Sequence, residues 1–318
     1  MERIAKGNVK KILMMVSQHT FSILITTKNR KSDLEFTLVK IQHLLLREDV
    51  ECLICDDGST DDTVVFLKSS YPEIRLIVNK KSRGLIFSRN RLMSLTNAKF
   101  AISIDDDLHF ITHNPLAIIE KAFNKNPKVG LFSFRIFWGL EEPKIIHSDE
   151  ILHRMKSFAG GANVWLMSAW RDVPDYPAWF VFYGEEDFAS YQLFKKKWEV
   201  YYLPEVLVNH RVNIKTRKKD SDYSLRLQRS LRSGWYLYFL FYPIYFIPRK
   251  LAYSIWQQLK RKVFKGDFRA LKALILALFD LFFSFPKIIK NANRLSMKEY
   301  KEYQNLEETK LYWNPEDK

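Results

Sequence analysis

Two cysteines in 318 residues exclude a disulfide framework. Their spacing, Cys52-x-x-Cys55, would suggest a metal or redox pair in another setting. Here both fall in the apolar run 50–55, which reads as a buried strand. On a strand of period two, residues three apart point to opposite faces and cannot share a ligand. They read as core thiols in a reducing compartment. Glycine-rich phosphate cradles are also missing, since neither a Walker loop nor a G-x-G-x-x-G turn occurs. Residues 1–11 are basic and mixed, without the apolar core of a secretory signal, so export is not expected. The longest apolar runs fall short of the ~20 residues that span a bilayer. The run 235–247 is interrupted by Pro243, and 271–285 contains Lys272 and Asp280.

What is present describes an ordered globular chain, with 47% hydrophobic and 27% charged residues. Its formal charge of +15 is uneven. Residues 1–210 are nearly balanced, whereas 211–270 carry 15 basic and 3 acidic side chains. The excess belongs to one segment and calls for a local explanation.

The most informative stretch is 100–108. A run of strand length and composition, Phe100 to Ile104, is followed at once by Asp105, Asp106 and Asp107. Three adjacent carboxylates repel one another unless a cation or many donors compensate. A tight cluster of hard oxygen ligands suits Mg²⁺ or Mn²⁺, which leave positions open for substrate phosphates. A solvated acidic turn is the bland alternative. Upstream, Phe21 to Thr27 forms a first strand, and Asp33 can cap a helix from about Leu34 to Leu46. The strand 51–55 runs into Asp56-Asp57-Gly58-Ser59, and Gly84 opens a helix carrying Arg89 and Asn90. This alternation predicts a mostly parallel sheet with helices on both faces. Each strand ends in polar residues at the same edge, where ligands of open α/β sheets bind.

The series 22–29, 56–63, Gly84 with Arg89-Asn90, and Asp105-Asp106-Asp107 resembles the nucleotide-sugar half of family 2 glycosyltransferases, over roughly residues 20–215. The resemblance implies the GT-A fold, a Rossmann-like, mostly parallel central sheet with helices on both faces. A C-terminal helical region would follow. It also implies an N-terminal extension (1–19), a catalytic domain (20–215, with its nucleotide-sugar half about 20–110 and acceptor half about 111–215), and a basic, apolar region (216–318). Thr26, where many members have Pro, would reach the nucleoside with Thr27 and Asn29. Asp57 would accept from base or ribose, with helix capping as its structural alternative. Gly84, Arg89, Asp105 and Asp106 would also line the donor site. Asp105 and Asp107 match the outer positions of the D-x-D metal motif, and His210 would complete the metal site.

The acceptor half is less regular. Val129 to Phe137 reads as a strand, and Gly160-Gly161 as a turn into another, permitting either close backbone approach to a ligand or a tight bend. Trp138, Trp165, Trp170 and Trp179 can stack on sugars or fill a core. In Gly184-Glu185-Glu186-Asp187 the resemblance makes Asp187 the catalytic base, with Glu186 its rival. A helix dipole there would depress the base's pKa and keep it ionised. Arg211, or the basic loop of Lys215, Arg217, Lys218 and Lys219, could close over the phosphates. Arg226, Arg229 and Arg232 recur along one helical face, and 296–318 reads as a surface helix with a frayed end.

The expected activity is inverting, metal-dependent transfer from a nucleotide-diphospho-sugar to a saccharide or lipid-linked saccharide. It would serve cell-surface polysaccharide or glycolipid synthesis, at the cytoplasmic face of the membrane. The basic, aromatic-rich segments suit an interfacial layer on anionic lipid or a helical subdomain packed on the core. A silent GT-A-like module binding membrane or nucleic acid is the rival. Nucleic acid is not expected, because the charge adjoins long apolar runs rather than single exposed aromatics.

Overall fold

The computed structural model describes residues 19–212 and 222–315. Most of the N-terminal extension, the basic loop Lys215–Lys219 and the boundary at 215/216 lie outside them. Short runs of Ile, Leu and Phe make the strands Phe21–Thr27 (β1), Val50–Asp56 (β2), Arg75–Val78 (β3) and Phe100–Asp105 (β4). The helices Lys31–Leu45 (α1), Thr63–Ser70 (α2) and Leu85–Leu95 (α3) connect them. These strands pair in parallel in the order β3-β2-β1-β4. Thr26 sits opposite Cys55 and Asp105, and Thr27 opposite Asp56. The polar strand ends therefore meet at one edge, as expected.

Alternation along the strands divides the core in two. Leu24, Leu53, Cys55 and Ala101 belong to one apolar layer, while Ile23, Cys52, Ile54 and Ile102 belong to the other. The two cysteines face opposite sides of the sheet, which is why they cannot pair. Helix α1 starts three residues earlier than expected, and Asp33 does not cap it. The Asp33 carboxylate instead accepts from Arg30 Nε at 3.1 Å, inside the first turn.

The second half is mixed in strand direction. It comprises Leu108–Phe110 (β5), Pro115–Lys125 (α4), Val129–Trp138 (β6), His153–Arg154 (β7), Ala162–Leu166 (β8), Met167–Arg171 (α5), Glu185–Lys195 (α6) and Glu199–His210 (β9). β8 runs antiparallel between β4 and β6, and β9 pairs parallel with β6. Parallel order thus describes the first half of the sheet. The apolar runs on either side of Pro204-Glu205 form the single strand β9. Its register slips between Phe134 and Arg135, where Leu203 and then Leu207 are the partners. That irregularity accommodates Pro204, which has no N–H to donate to a ladder.

Among the described residues four α-helices follow, Tyr223–Phe241 (α7), Ile247–Arg261 (α8), Phe268–Lys290 (α9) and Met297–Gln304 (α10). Trp235, Tyr236, Leu240 and Phe241 of α7 share a core with Phe180, Phe188 and Tyr191. The helical region is therefore continuous with the sheet domain. The tail departs from the expected frayed surface helix. Tyr303 stacks on Tyr191 at 4.4 Å, and the Arg135 guanidinium lies 4.5 Å over the ring of Trp313. Trp313 also bridges to β6 at Phe137. Aromatic side chains spaced along a polar tail hold it to the core.

Candidate active site

The carboxyl edge of β1, β2 and β4 opens into a cleft of about 640 Å³. Its walls include Thr26, Asp57, Gly84, Asp105 and Asp107, and His210 closes one side. A second cleft, about 940 Å³, lies beyond it and is lined by Trp138, Gly160, Glu186, Asp187 and Leu311. Asp105, Phe182, His210 and Arg229 line both, so they mark the junction.

Asp57 organises one wall. Its carboxylate accepts from Arg83 N (2.8 Å), Gly84 N (2.9 Å) and Ser82 Oγ (2.6 Å). Asn79 and Ser88 donate to it as well. Burial would raise this carboxyl's pKa, but those donors outweigh burial and hold it below its ordinary value. The left-handed φ of 92° at Gly84 brings the loop within reach. Asp57→Asn puts an amide donor among these donors and is expected to cost about 1–3 kcal/mol at pH 7. Because the folded pKa lies below the unfolded one, the wild-type advantage is full above pH 3.8. It fades as pH falls further. Urea unfolding at pH 7 and pH 3 should show a gap that narrows at the lower pH.

The acidic cluster is arranged by two elements. Arg30, at the start of α1, pairs with Asp106 Oδ1 at 3.0 Å and Asp107 Oδ2 at 2.7 Å. Thr27 Oγ1 donates to Asp106 Oδ2 at 2.8 Å, and Thr37 Oγ1 to the Asp106 carbonyl at 2.7 Å. Burial still pushes Asp106 up to about 7. Asp107 is also buried, but His210 and Arg30 hold its carboxyl well below the usual range. Its Oδ1 accepts no aligned hydrogen bond, although His210 Nε2 lies 3.0 Å away. Asp105, Asp107 and His210 each offer a ligand atom, all within 4.8 Å of one another. Two carboxylates and an imidazole around an orphaned buried oxygen fit a divalent cation such as Mg²⁺ or Mn²⁺.

Arg89, fully enclosed, joins this cluster to α6. It pairs with Asp105 Oδ1 and Glu185 Oε1, both at 3.0 Å. Glu186 lies against Gly160, and Asp105 against Gly161; a Cβ on either glycine would collide with the neighbouring carboxylate. The pair therefore serves close approach, and what approaches is the protein's own acids. Burial, and then the charge of Glu185, push Glu186 well above the ordinary carboxyl value. Asp187 is raised too, by burial and by Glu308, against a hydrogen bond from Ser157. The expected depression by the helix dipole is overturned, because desolvation and clustered acids dominate at this helix start.

Of the residues expected at the donor site, Thr26, Thr27, Asp57, Gly84, Asp105 and Asp106 line the first cleft. Arg89 lines only the second. Asn29 is turned aside, with its Oδ1 accepting from Thr60 N at 2.7 Å. Arg211 does not line either cleft. Its guanidinium reaches Thr37 Oγ1 (2.7 Å) and the Asp33 carbonyl (2.9 Å), and lies 4.5 Å over Phe36. Tertiary packing on α1 claims the Arg211 side chain, and the loop after β2 claims that of Asn29. Among the tryptophans, Trp165 and Trp170 are core and Trp179 packs on Tyr236, whereas Trp138 lines the second cleft. Arg30 and Glu185 were not singled out for the site by sequence alone, and Arg229 entered only as one of the arginines of a helical face that could meet the diphosphate. Arg229 makes no hydrogen bond or ion pair among the described residues and faces the junction. Its place in the every-third-residue arginine face was the available signal.

Known proteins supply an independent view. A stretch of 122 residues is 29% identical to the uncharacterized glycosyltransferase YfnE of Bacillus subtilis, covering 36% of this chain and 31% of the relative. The chain thus spans under a third of that relative's length in the match. The fold resembles that of GalNAc-T7, solved with UDP, GalNAc and Mn²⁺, with a TM-score of 0.58 at 12% identity. That match covers 86% of this chain and 58% of the other. It also resembles the mannosyltransferase PcManGT of Pyrobaculum calidifontis, solved with GDP-Man and Mn²⁺, with a TM-score of 0.52 at 14% identity. Here the coverage is 95% and 85%. The fold is GT-A, with a helical C-terminal region. The sequence profile of glycosyl transferase family 2 matches residues 22–180, half of the chain, and the protein belongs to that family.

Proposed function

We propose that this protein is an inverting, metal-dependent glycosyltransferase that moves a sugar from a nucleotide-diphospho-sugar to a hydroxyl acceptor. The observation that carries this reading is the junction of two clefts at Asp105, His210 and Arg229, with Glu186 beside Asp105 across Gly160-Gly161. The first cleft suits the nucleotide, with Thr26 and Asp57 on its wall and Lys28 at its edge. The second suits the acceptor. Asp105, Asp107 and His210 would hold Mg²⁺ or Mn²⁺, and such an ion when bound offsets charge on the leaving diphosphate.

Arg229 supplies charge-assisted contacts to that diphosphate, the role expected of Arg211. Glu186 takes the proton of the acceptor hydroxyl, and its raised pKa makes its carboxylate a stronger base than an ordinary glutamate. Its position beside Asp105 favours it over Asp187, which is tied to Ser157 and neighbours Glu308. The acceptor is a saccharide or lipid-linked saccharide, in cell-surface polysaccharide or glycolipid synthesis at the cytoplasmic face of the membrane. The basic apolar C-terminal region supports that location.

Thermal unfolding with UDP, GDP, CMP and dTDP, each with and without Mn²⁺, tests the donor site. A ligand of the native state at a hundredfold excess over Kd is expected to add about 2.7 kcal/mol. The midpoint should rise for one nucleotide, and only with the metal. No shift with any of them would favour a silent GT-A-like module.

A further inference from the structure

Helix α9 has two unlike faces. Ala270, Ala273, Leu274, Ala277, Leu281 and Ile288 are buried in the core. Its one acid, Asp280, is turned toward α7, where Gln228 and Arg232 donate to it at 2.7 and 3.2 Å. On the opposite face every exposed position from Ile275 to Pro286 is apolar, and Phe282 and Phe283 are 73% and 75% exposed. Twelve helical residues extend about 18 Å. Phe239 of α7 joins Leu278, Phe282, Phe283 and Pro286 around an apolar groove of about 640 Å³ on this face. So large an exposed apolar patch marks an interaction surface.

The rim of the patch is basic. Arg269 and Lys272 flank it at one end, Lys287 and Lys290 at the other, all exposed. No Asp or Glu occurs between Asp222 and Asp267, a stretch holding nine Lys and Arg. Nearby, Tyr245, Trp256 and Phe264 add exposed aromatics among those cations. Among the described residues no helix is long and apolar enough to cross a membrane. A second copy docked through a two-fold axis would set this basic rim against itself, like charge on like charge. An anionic surface complements it.

We infer that the exposed face of α9 is a peripheral anchor, lying in the plane of an anionic bilayer with Phe279, Phe282 and Phe283 among the acyl chains and the basic rim at the headgroups. Arg229 at the cleft junction and Phe239 in the groove are ten residues apart on α7, about 15 Å. Anchoring by this face therefore holds the cleft junction within about 15 Å of the groove, measured along α7. The inference deepens the proposed location and rests on that reading only there, because vesicle binding needs no substrate.

The experiment is co-sedimentation of the full chain with vesicles of phosphatidylcholine alone or mixed with phosphatidylglycerol. A double variant, Phe282→Asp with Phe283→Asp, is run beside it. Its far-UV circular dichroism and nucleotide-dependent thermal shift report that the fold and donor site persist. Wild type is expected to bind the anionic vesicles, more weakly as salt rises, and the variant at least about tenfold more weakly at equal salt. Absence of binding to anionic vesicles at low salt would overturn the anchor. So would equal binding by the variant, or a wild-type dimer that the variant dissolves with no vesicle binding by either.

Discussion

Glu186→Gln is expected to lower kcat by about 10²–10⁴-fold, the usual contribution of a positioned general base. The nucleotide-sugar Kd in the presence of Mn²⁺ should stay within about twofold, because the role proposed for the side chain is on the acceptor proton and not on the donor. Asp187→Asn, one residue along α6, should fall much less. The two differ in setting. Both line the second cleft, but Glu186 packs on Gly160, next to the Gly161 on which Asp105 packs, whereas Asp187 neighbours Ser157 and Glu308. The reverse order of effects would assign the base to Asp187. A pH profile adds a second readout. A base works only when ionised, and Glu186 is held well above the ordinary carboxyl value by burial and by Glu185. Activity of the wild type should therefore fall, on the acid side, at a pH above the ordinary 4.5 of a glutamate.

Arg89→Ala should be the most damaging change to stability. Burial alone would lower this guanidinium's pKa, but Asp105, Glu185 and Glu186 more than reverse that, so the charge persists inside the protein. Removing it leaves Glu185, itself buried, facing Asp105 and Glu186 without a counterion. Breaking a buried pair from one side costs about 3–5 kcal/mol, a large part of a typical stability of 5–15 kcal/mol. The deficit should depend on pH. Glu185 already has a raised pKa, and losing Arg89 raises it further. In the folded variant it then binds protons that the unfolded chain has released, so stability declines as pH rises above the ordinary 4.5. Urea midpoints across pH 4.5 to 8 should therefore diverge from wild type toward the alkaline end. A constant deficit would mean that Arg89 acts by packing alone.

Much of this was legible in the sequence, for reasons of period and polarity. Phe100 to Asp107 announced both a strand and its carboxyl end, because a buried apolar run cannot continue into three carboxylates. The repeated polar ends at Thr26, Asp56 and Asp105 pointed to one shared edge, and the parallel register aligns them there. What was not legible depends on which long side chain reaches where. Arg211 and Arg229 are both cations near the end of the sheet domain in sequence. Phe36, Thr37 and His109 draw the first away, while the second is left facing the clefts. Arg30 could not be assigned because its partners, Asp106 and Asp107, lie more than seventy positions downstream. The tail was misread for a similar reason. Composition reports polarity, whereas Tyr300, Tyr303 and Trp313 decide where the tail lies.

The grip of Arg30 on Asp106 and Asp107 bears on how the protein comes into being. Three adjacent carboxylates on a strand end are a hazard to a newly made chain, which must bring them together before any ion is at hand. Here the counterion is encoded a few residues after the first strand. It sits on the helix that packs beside that strand end. The chain brings its own cation to the cluster, so closing the sheet edge does not await the divalent ion. On the proposed function, metal supply in the cell would then govern turnover rather than closure of this edge.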